Sequence, residues 1–199
     1  PPTADAGAGG YVIPVSTPFE LTGSANDVDG DAMTYNWEEH DLGPGSANLN
    51  ELNNPTGTAP IFRSWNPSTS LTRVFPRIQD LVNNTTVIGE LLPTYTRDLN
   101  FRFTVRDNHL GSGGYDYDDL QISSNNSGGP FLVTSPNGGE NIAEYSTETI
   151  TWDVANTNMA IFNSPNVDIF LSIDGGLTYP TTLAQNVPND GSEDVQFPL

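Results

Sequence analysis

The sequence predicts an all-β protein made of two β-sandwich units. Short runs of β-branched and aromatic residues alternate with polar residues, and clusters of Gly, Pro, Asn and Asp separate these runs. No long segment has the residue spacing of an amphipathic helix. Of the 199 residues, 35% are hydrophobic and 10% are aromatic, which is enough to form packed cores. Together these observations favour short strands that are joined by turns.

The strands of the first unit are predicted from alternation with a period of two residues. Segment 32–38 places Met33, Tyr35 and Trp37 on one side of a strand, because successive side chains point to opposite faces. Segment 100–105 alternates in the same way. Its predicted inward side chains are Phe101, Phe103 and Val105. Further strands are predicted at 11–15, 19–22 and 115–122.

The middle of the first unit is less regular. Residues 40–60 are rich in Gly, Asn and Pro and are predicted to form a loop. Segment 76–82 predicts one or two helical turns, because proline suits the first turn of a helix and the apolar residues that follow Pro76 fall on one side.

A stretch rich in Ser, Asn and Gly divides the chain. We predict a first domain at 1–124, a linker at 125–130 and a second domain at 131–199. The strands predicted in the second domain are 131–134, 148–154, 167–173, 178–183 and 195–199. The residues predicted to share a strand face are Ile150, Trp152 and Val154 in one strand, and Val167, Ile169, Leu171 and Ile173 in the next.

The charge balance restricts the possible partners. There are 25 acidic residues against six basic ones, which gives a formal net charge of −19. A field of this sign repels phosphate backbones, so nucleic-acid binding is not expected. No apolar run approaches the length of a membrane-spanning helix, so membrane insertion is not expected either. The absence of cysteine excludes disulfides and cysteine-ligated zinc.

The strongest candidate site is the sequence DVDGD at 27–31. Its three carboxylates, Asp27, Asp29 and Asp31, repel one another unless a cation lies among them. Ca²⁺ suits such a loop, because it takes six to eight hard oxygen ligands in flexible geometry. The motif is not an EF-hand, because an alternating strand follows it where a helix would be needed. Two interpretations remain open, a calcium site and a solvated acidic turn.

Several segments carry a resemblance to a known family. In the first domain these segments are 2–7, 21–24, 27–31, 33–37 and 103–108. This domain resembles a PKD or cadherin-like domain of the immunoglobulin type. The second domain, with VTSPNGGE at 133–140 and TITW at 149–152, resembles β-sandwich modules that follow catalytic domains in secreted bacterial enzymes. The pair is similar to the C-terminal region of reprolysin-like zinc metallopeptidases of surface-exporting bacteria.

The resemblance implies two immunoglobulin-like sandwiches. Such a fold has about seven strands in about 100 residues. The stretch from about 40 to 98 is long for the first domain, so it is interpreted as an insertion. The second domain has about five predicted strands. We therefore expect this second sandwich to be truncated, and to be completed by further residues or by another chain.

The implied topology extends the metal prediction. In such a sandwich the N-terminus, the loop before strand C and the loop after strand F meet at one pole. Four more carboxylates would then join the first three, and these are Asp5, Asp107, Asp116 and Asp118. We expect this convergence of hard ligands to require a cation.

The aromatic residues provide the alternative function. Trp37 and Trp152 lie in alternating strands and are predicted to be core residues. Trp65 lies in an irregular segment, so it is either a core residue or an exposed platform for a ligand such as a sugar. The arginines of the insertion are expected to pair with carboxylates and to hold the insertion in place.

No enzymatic motif is present. His40 and His109 are expected at opposite ends of the first sandwich and on its surface, and there is no zinc-protease, serine-hydrolase or phosphate-binding motif. The sequence SIDGGLTY at 172–179 resembles an Asp-box hairpin, in which Asp174 bonds its own turn and Tyr179 packs beneath it.

These observations favour a non-catalytic, calcium-binding accessory or spacer module. The expected partners are a covalently linked catalytic domain, which by the resemblance belongs to a metallopeptidase, and a polysaccharide or protein substrate. The expected location is secreted or on the bacterial cell surface. The alternative is a carbohydrate-binding or cell-surface adhesion module.

Overall fold

The computed structural model describes residues 1–43 and 48–198. Within them the structure is almost entirely β, which confirms the predicted all-β class. The strands are β1 (Pro2–Asp5), β2 (Val12–Pro14), β3 (Phe19–Thr22), β4 (Ser24–Asp27), β5 (Thr34–Glu39), β6 (Thr72–Phe75), β7 (Arg97–Arg106), β8 (Tyr115–Asn125), β9 (Leu132–Ser135), β10 (Thr147–Asp153), β11 (Asn166–Leu171), β12 (Thr181–Pro188) and β13 (Ser192–Gln196), and the helices are α1 (Leu49–Asn53) and α2 (Ile78–Val82). Neither helix is long and apolar enough to span a membrane, and no other helix occurs in the described residues.

The chain divides into two compact units. The first comprises Pro1–Ile13 and Pro18–Ser124, and the second comprises Pro14–Thr17 and Asn125–Leu199. The division after Ser124 falls at the domain boundary that the sequence predicts. The short segment 14–17 belongs with the second unit because Val15 donates its N–H to the carbonyl of Gly128, and the Thr17 hydroxyl accepts the N–H of Phe131.

The first unit is organised around a four-stranded sheet. Its strand order is β2-β8-β7-β5. The long central strand β7 pairs with β5 on one side and with β8 on the other, so that Phe103 lies between Trp37 and Asp118. Two smaller antiparallel pairs, β1 with β4 and β3 with β6, complete the strand pairing of this unit.

The core of the first unit follows the predicted alternation. Phe101, Phe103 and Val105 are fully buried, and Trp37 is only 2% exposed. The insertion also contributes to this core, since it supplies the following buried side chains: Ile61, Phe62 and Phe75. The insertion is therefore an integral part of the first unit.

The insertion contains both helices. The predicted helical turn at 76–82 is present as α2. The predicted loop at 40–60 instead contains α1, while residues 44–47 of that loop lie outside the described residues. Helix α1 begins after Asn48, whose side chain accepts the N–H groups of Asn50 and Glu51. Asn48 is a favourable N-cap residue, but the Gly, Asn and Pro content of the segment led to the prediction of a loop.

The second unit contains a three-stranded sheet and a separate two-stranded pair. The sheet has the order β13-β10-β9, and β11 pairs with β12. Its core contains the predicted Ile150 and Trp152. Two predictions for this unit are wrong: Ile173 is 81% exposed and Tyr179 is 52% exposed. Strand β11 ends at Leu171 and β12 begins at Thr181. Both residues therefore lie in the connection between these strands, where the alternation of inward and outward side chains no longer applies.

Candidate metal site

The loop at 27–31 begins where β4 ends. Asp27 is the last residue of β4, and its backbone pairs with Pro2 of β1. Asp27 Oδ1 accepts the backbone N–H groups of Asp29 at 3.0 Å and of Asp31 at 3.3 Å, so the loop curls around this carboxylate. Gly30 has φ +75, and the tight turn depends on this conformation, which glycine adopts readily.

The loop brings three carboxylates together. One oxygen from each of Asp27, Asp29 and Asp31 lies within 4.8 Å of the other two. Asp29 is exposed, while Asp27 and Asp31 are half-buried as whole residues. Three negative groups at this separation repel one another, and partial burial reduces the solvent screening of that repulsion. All three ligand atoms are carboxylate oxygens, the type of ligand that hard cations prefer.

One oxygen of this group is buried without a partner. The side chain of Asp27 is only 1% exposed, and its Oδ2 accepts no hydrogen bond from any of the residues that the structure describes. The nearest cationic atom is the amino nitrogen of Pro1 at 4.0 Å, which is too far to donate a hydrogen bond. A buried carboxylate oxygen without a partner is costly, and a cation bound among the three carboxylates would remove that cost.

A second loop lies beside the first. His109 Nδ1 is 3.0 Å from Asp31 Oδ2, and Asn108 donates its side-chain N–H to the carbonyl of Ala32. Asp107 Oδ1 accepts the backbone N–H of His109 and of Gly114. The N–H of His109 is the main reason that the pKa of Asp107 lies below its ordinary value. The loops before β5 and after β7 therefore meet at one end of the first unit.

The structure does not bring all seven predicted carboxylates together. Within the described residues, the group of carboxylates that could hold a metal ion contains Asp27, Asp29 and Asp31 alone. Asp107 is adjacent, but its Oδ1 is occupied by backbone donors. The other three predicted ligands, Asp5, Asp116 and Asp118, do not join the group.

These three carboxylates instead bind the backbone around β1. Asp116 accepts the N–H of Ala4 at 3.0 Å, and Asp118 accepts the N–H of Ala6 at 2.9 Å. Asp5 accepts the N–H of Gly7 at 2.8 Å. The physical reason is strand geometry: Asp5 pairs with Ser24, three residues before Asp27, which is a distance of about 10 Å along the strand.

Trp65 is engaged by its own chain. Its Nε1 donates to Glu90 Oε1 at 2.6 Å. The guanidinium carbon of Arg77 lies 3.6 Å from the centroid of the indole ring, and that of Arg63 lies 4.7 Å from it. The ring therefore packs within the insertion, so of the two alternatives left open for Trp65 the structure favours the packed side chain over the exposed platform. The predicted pairing of arginines with carboxylates is present at Arg73, which bonds Glu90 at 2.7 Å.

The sequence analysis missed one buried charged cluster. Glu39 and Asp41 both bond Nη2 of Arg97, and all three side chains are at most 2% exposed. Burial, and secondly the neighbouring carboxyl of Asp41, raise the pKa of Glu39 to about 8. Glu39 Oε2 also accepts the N–H groups of Ile61 and Phe62, so the cluster fastens the insertion to the end of β5. The only indication of this cluster in the local sequence is the run of ionisable residues at 38–41.

The two histidines do not form a site together. His40 follows β5 and donates its backbone N–H to Asn100, whereas His109 follows β7. Because β5 and β7 are antiparallel, with Thr34 opposite Arg106, these positions lie at opposite ends of the sheet. This arrangement agrees with the prediction that they do not meet.

No model of a known protein family matches the chain, and no curated protein matches it.

Proposed function

We propose that the first unit is a calcium-binding module without catalytic activity. The observation that carries this proposal is the buried Asp27 Oδ2, which accepts no hydrogen bond and belongs to a group of three carboxylates. A bound cation would satisfy this oxygen and would offset the repulsion between the three side chains.

Calcium is the cation that suits these residues. The group contains no histidine or cysteine, which zinc and other transition metals prefer. Calcium accepts carboxylates from an irregular loop and completes its coordination with carbonyl oxygens and water, whereas magnesium requires a stricter octahedral arrangement. In this proposal Asp27, Asp29 and Asp31 hold the ion.

The effect of the ion is mechanical. Binding would tie Asp29, at the exposed tip of the loop, to the end of β4, and would act through Asp31 on the adjacent loop that contains His109. A ligand that binds only the folded state stabilises it by about 2.7 kcal/mol at a free concentration of about 100 times Kd. Extracellular calcium-binding modules have weak sites that suit such conditions.

The wider role that we propose is that of an accessory spacer. The support for this role is the resemblance to PKD and cadherin-like immunoglobulin-type domains, which implies a parent polypeptide with a catalytic domain, secreted or surface-exposed and bacterial, with a metallopeptidase as the candidate. The all-β structure of both units is compatible with this role, and the resemblance supports it. Within the parent polypeptide we expect a zinc-protease motif, and a full-length coding sequence without one would exclude the metallopeptidase assignment.

Thermal melting tests the calcium site. We expect the melting midpoint of the first unit to rise by about 5 °C or more in excess calcium relative to a chelator. Asp29→Asn should reduce this rise, because it removes one charged ligand that makes no hydrogen bond through its side chain. Glu20→Gln, on the exposed face of β3, is the matched control and should keep the full response. An unchanged midpoint in calcium would contradict the proposal.

A further inference from the structure

A pocket lies at the edge of the large sheet in the first unit. Segment 65–72 crosses this edge, because the backbones of Tyr35 and Ser68 exchange two hydrogen bonds of 2.8 and 2.9 Å. Trp37 Nε1 donates to the carbonyl of Leu71, which holds the crossing segment against β5. The pocket has a volume of about 580 Å³, which is within the range of small-molecule sites. Its walls include Tyr35, Asn66, Ser68, Arg73, Arg77 and Gln79.

Glu90 holds the walls of this pocket in place. Its side chain is fully buried and accepts three hydrogen bonds, from Trp65 Nε1 at 2.6 Å, from Arg73 Nη2 at 2.7 Å and from the backbone N–H of Arg77 at 2.8 Å. These bonds join the crossing segment, β6 and the start of α2 through one carboxylate. The framework of the pocket, formed by Trp65, Arg73 and the backbone of Arg77, is therefore held in place by bonds within the chain, which reduces part of the ordering cost of binding.

Several polar groups of the pocket have no partner. Within the described residues, the Tyr35 hydroxyl and the side-chain amides of Asn66 and Gln79 form no hydrogen bond, and both amide residues are exposed. Arg77 uses Nε and Nη2 to bind Asp80, which leaves its Nη1 for a ligand. Val74 and Ile78 add apolar surface beside these groups. Aromatic, aliphatic, amide and guanidinium groups line the same concave surface.

The charge of the pocket favours an uncharged ligand. Arg73 is paired with Glu90, and Arg77 is paired with Asp80, so each cation of the lining is already neutralised. The chain as a whole carries a net charge of −19, which repels anions. Planar amides and a guanidinium group can bind adjacent hydroxyls, and the apolar side chains can contact the C–H face of a ring.

We propose that this pocket binds a neutral sugar unit of a polysaccharide. This inference goes beyond the calcium site, with which the pocket shares no residue. It also differs from the alternative in which Trp65 itself is an exposed stacking platform. Trp65 builds the wall through its bonds to Glu90 and Arg77, and the hydrogen bonds to the sugar come from Asn66 and Gln79.

Titration calorimetry on the 199-residue chain tests the proposal. The neutral probes are cellotetraose, mannotetraose, laminaritetraose and chitotetraose, and the anionic probe is tetragalacturonate. We expect at least one neutral probe to bind and the anionic probe not to bind. Binding of no neutral probe, or tighter binding of the anionic probe, would overturn the assignment.

Two substitutions in the pocket test whether the sugar binds there. Asn66→Ala and Gln79→Ala should each weaken the affinity for the neutral sugar by about twofold to tenfold, the effect of one lost hydrogen bond. Their melting midpoints should not change, because neither side-chain amide bonds to the rest of the described chain. Gln196→Ala, which removes an exposed amide from β13, is the control and should bind as the unmodified chain does. Pocket variants that bind with unchanged affinity would overturn the proposal.

Discussion

His109 Nδ1 lies 3.0 Å from Asp31 Oδ2, although the two residues are 78 positions apart in the sequence. The contact exists because β5 and β7 are antiparallel neighbours, with Thr34 opposite Arg106, so that the loop before one strand meets the loop after the other. The carboxylates of 27–31 are therefore part of a shared end of the first unit. The calcium proposal depends on this placement, since an ion there would act on two loops.

The conformation of Gly30 gives a prediction about calcium. Gly30→Ala should lower the stability of the first unit by about 1 kcal/mol, because an L-residue is strained at φ +75. It should also reduce the rise in melting midpoint that calcium produces, since the strain falls within the ligand loop. Melting curves in calcium and in a chelator measure both effects.

Gly57→Ala is the control for this experiment. Gly57 has φ +60, and a Cβ atom at either glycine would meet no atom within 4 Å, so the backbone cost should be similar. Only Gly30→Ala should change the calcium response. An equal rise of the melting midpoint with calcium in both variants would contradict the proposal that the loop at 27–31 binds the ion.

The buried carboxyl of Glu39 gives a prediction about pH. Its pKa is raised to about 8 from an ordinary value of 4.5, so the folded state holds a proton that the unfolded state has released. This contribution to stability is fully present below about pH 4.5 and is lost as the pH rises through about 8. We expect urea denaturation to show a lower free energy of unfolding at about pH 8 than at about pH 5.

Substitution separates this effect from other titrations. Glu39→Gln cannot titrate, so the decline in unfolding free energy between these two pH values should become smaller. Glu38→Gln changes the neighbouring, half-exposed carboxylate and should leave the decline in place. If the free energy of unfolding of both variants falls with pH as steeply as that of the unmodified chain, a group other than Glu39 causes the pH dependence.

The hairpin after β11 gives a prediction for the second unit. Asp174 accepts the N–H groups of Leu177 and Thr178 and the hydroxyls of Thr178 and Ser172. The Thr178 hydroxyl is the first cause that lowers its pKa, which is about 2. Asp174→Ala should increase amide hydrogen exchange at Leu177 and Thr178, because both amides lose their acceptor.

The pH dependence of this hairpin is opposite in sign to that of Glu39. A depressed pKa gives a contribution that is present above the ordinary value of 3.8 and is lost as the pH falls through about 2. Protection of Thr178 should therefore persist under mild acid. Asp190→Ala, at a separate turn, should leave the exchange of Leu177 and Thr178 unchanged. Rapid exchange of both amides in the unmodified chain would contradict the prediction.

Local sequence patterns were sufficient for part of the fold. The alternation at 100–105 identified Phe101, Phe103 and Val105 as core residues, because every second side chain of a strand points to the same face. The same reasoning located Trp152 in the second core. The reasoning was wrong at Ile173, which is exposed, because alternation alone does not show at which residue a strand ends.

Long-range packing decided what local patterns could not show. The burial of the carboxyl groups of Glu39 and Asp41 could not be predicted, since Arg97, which bonds both, is more than 50 residues away. The irregular segment around Trp65 could not decide between a core residue and an exposed platform, whereas the structure packs Arg77 against its ring and bonds its Nε1 to Glu90. These arrangements depend on which distant segments meet.

By itself the sequence determined the all-β class, the division after Ser124 and the acidic loop at 27–31, because composition, parity and motif spacing are properties of neighbouring residues. The tertiary structure alone decided that Asp27 Oδ2 is buried without a partner and that Asp5, Asp116 and Asp118 bind the backbone around β1. It also decided that a pocket opens beside Arg77. The physical reason is that burial and convergence depend on the pairing of distant strands, which no local pattern encodes.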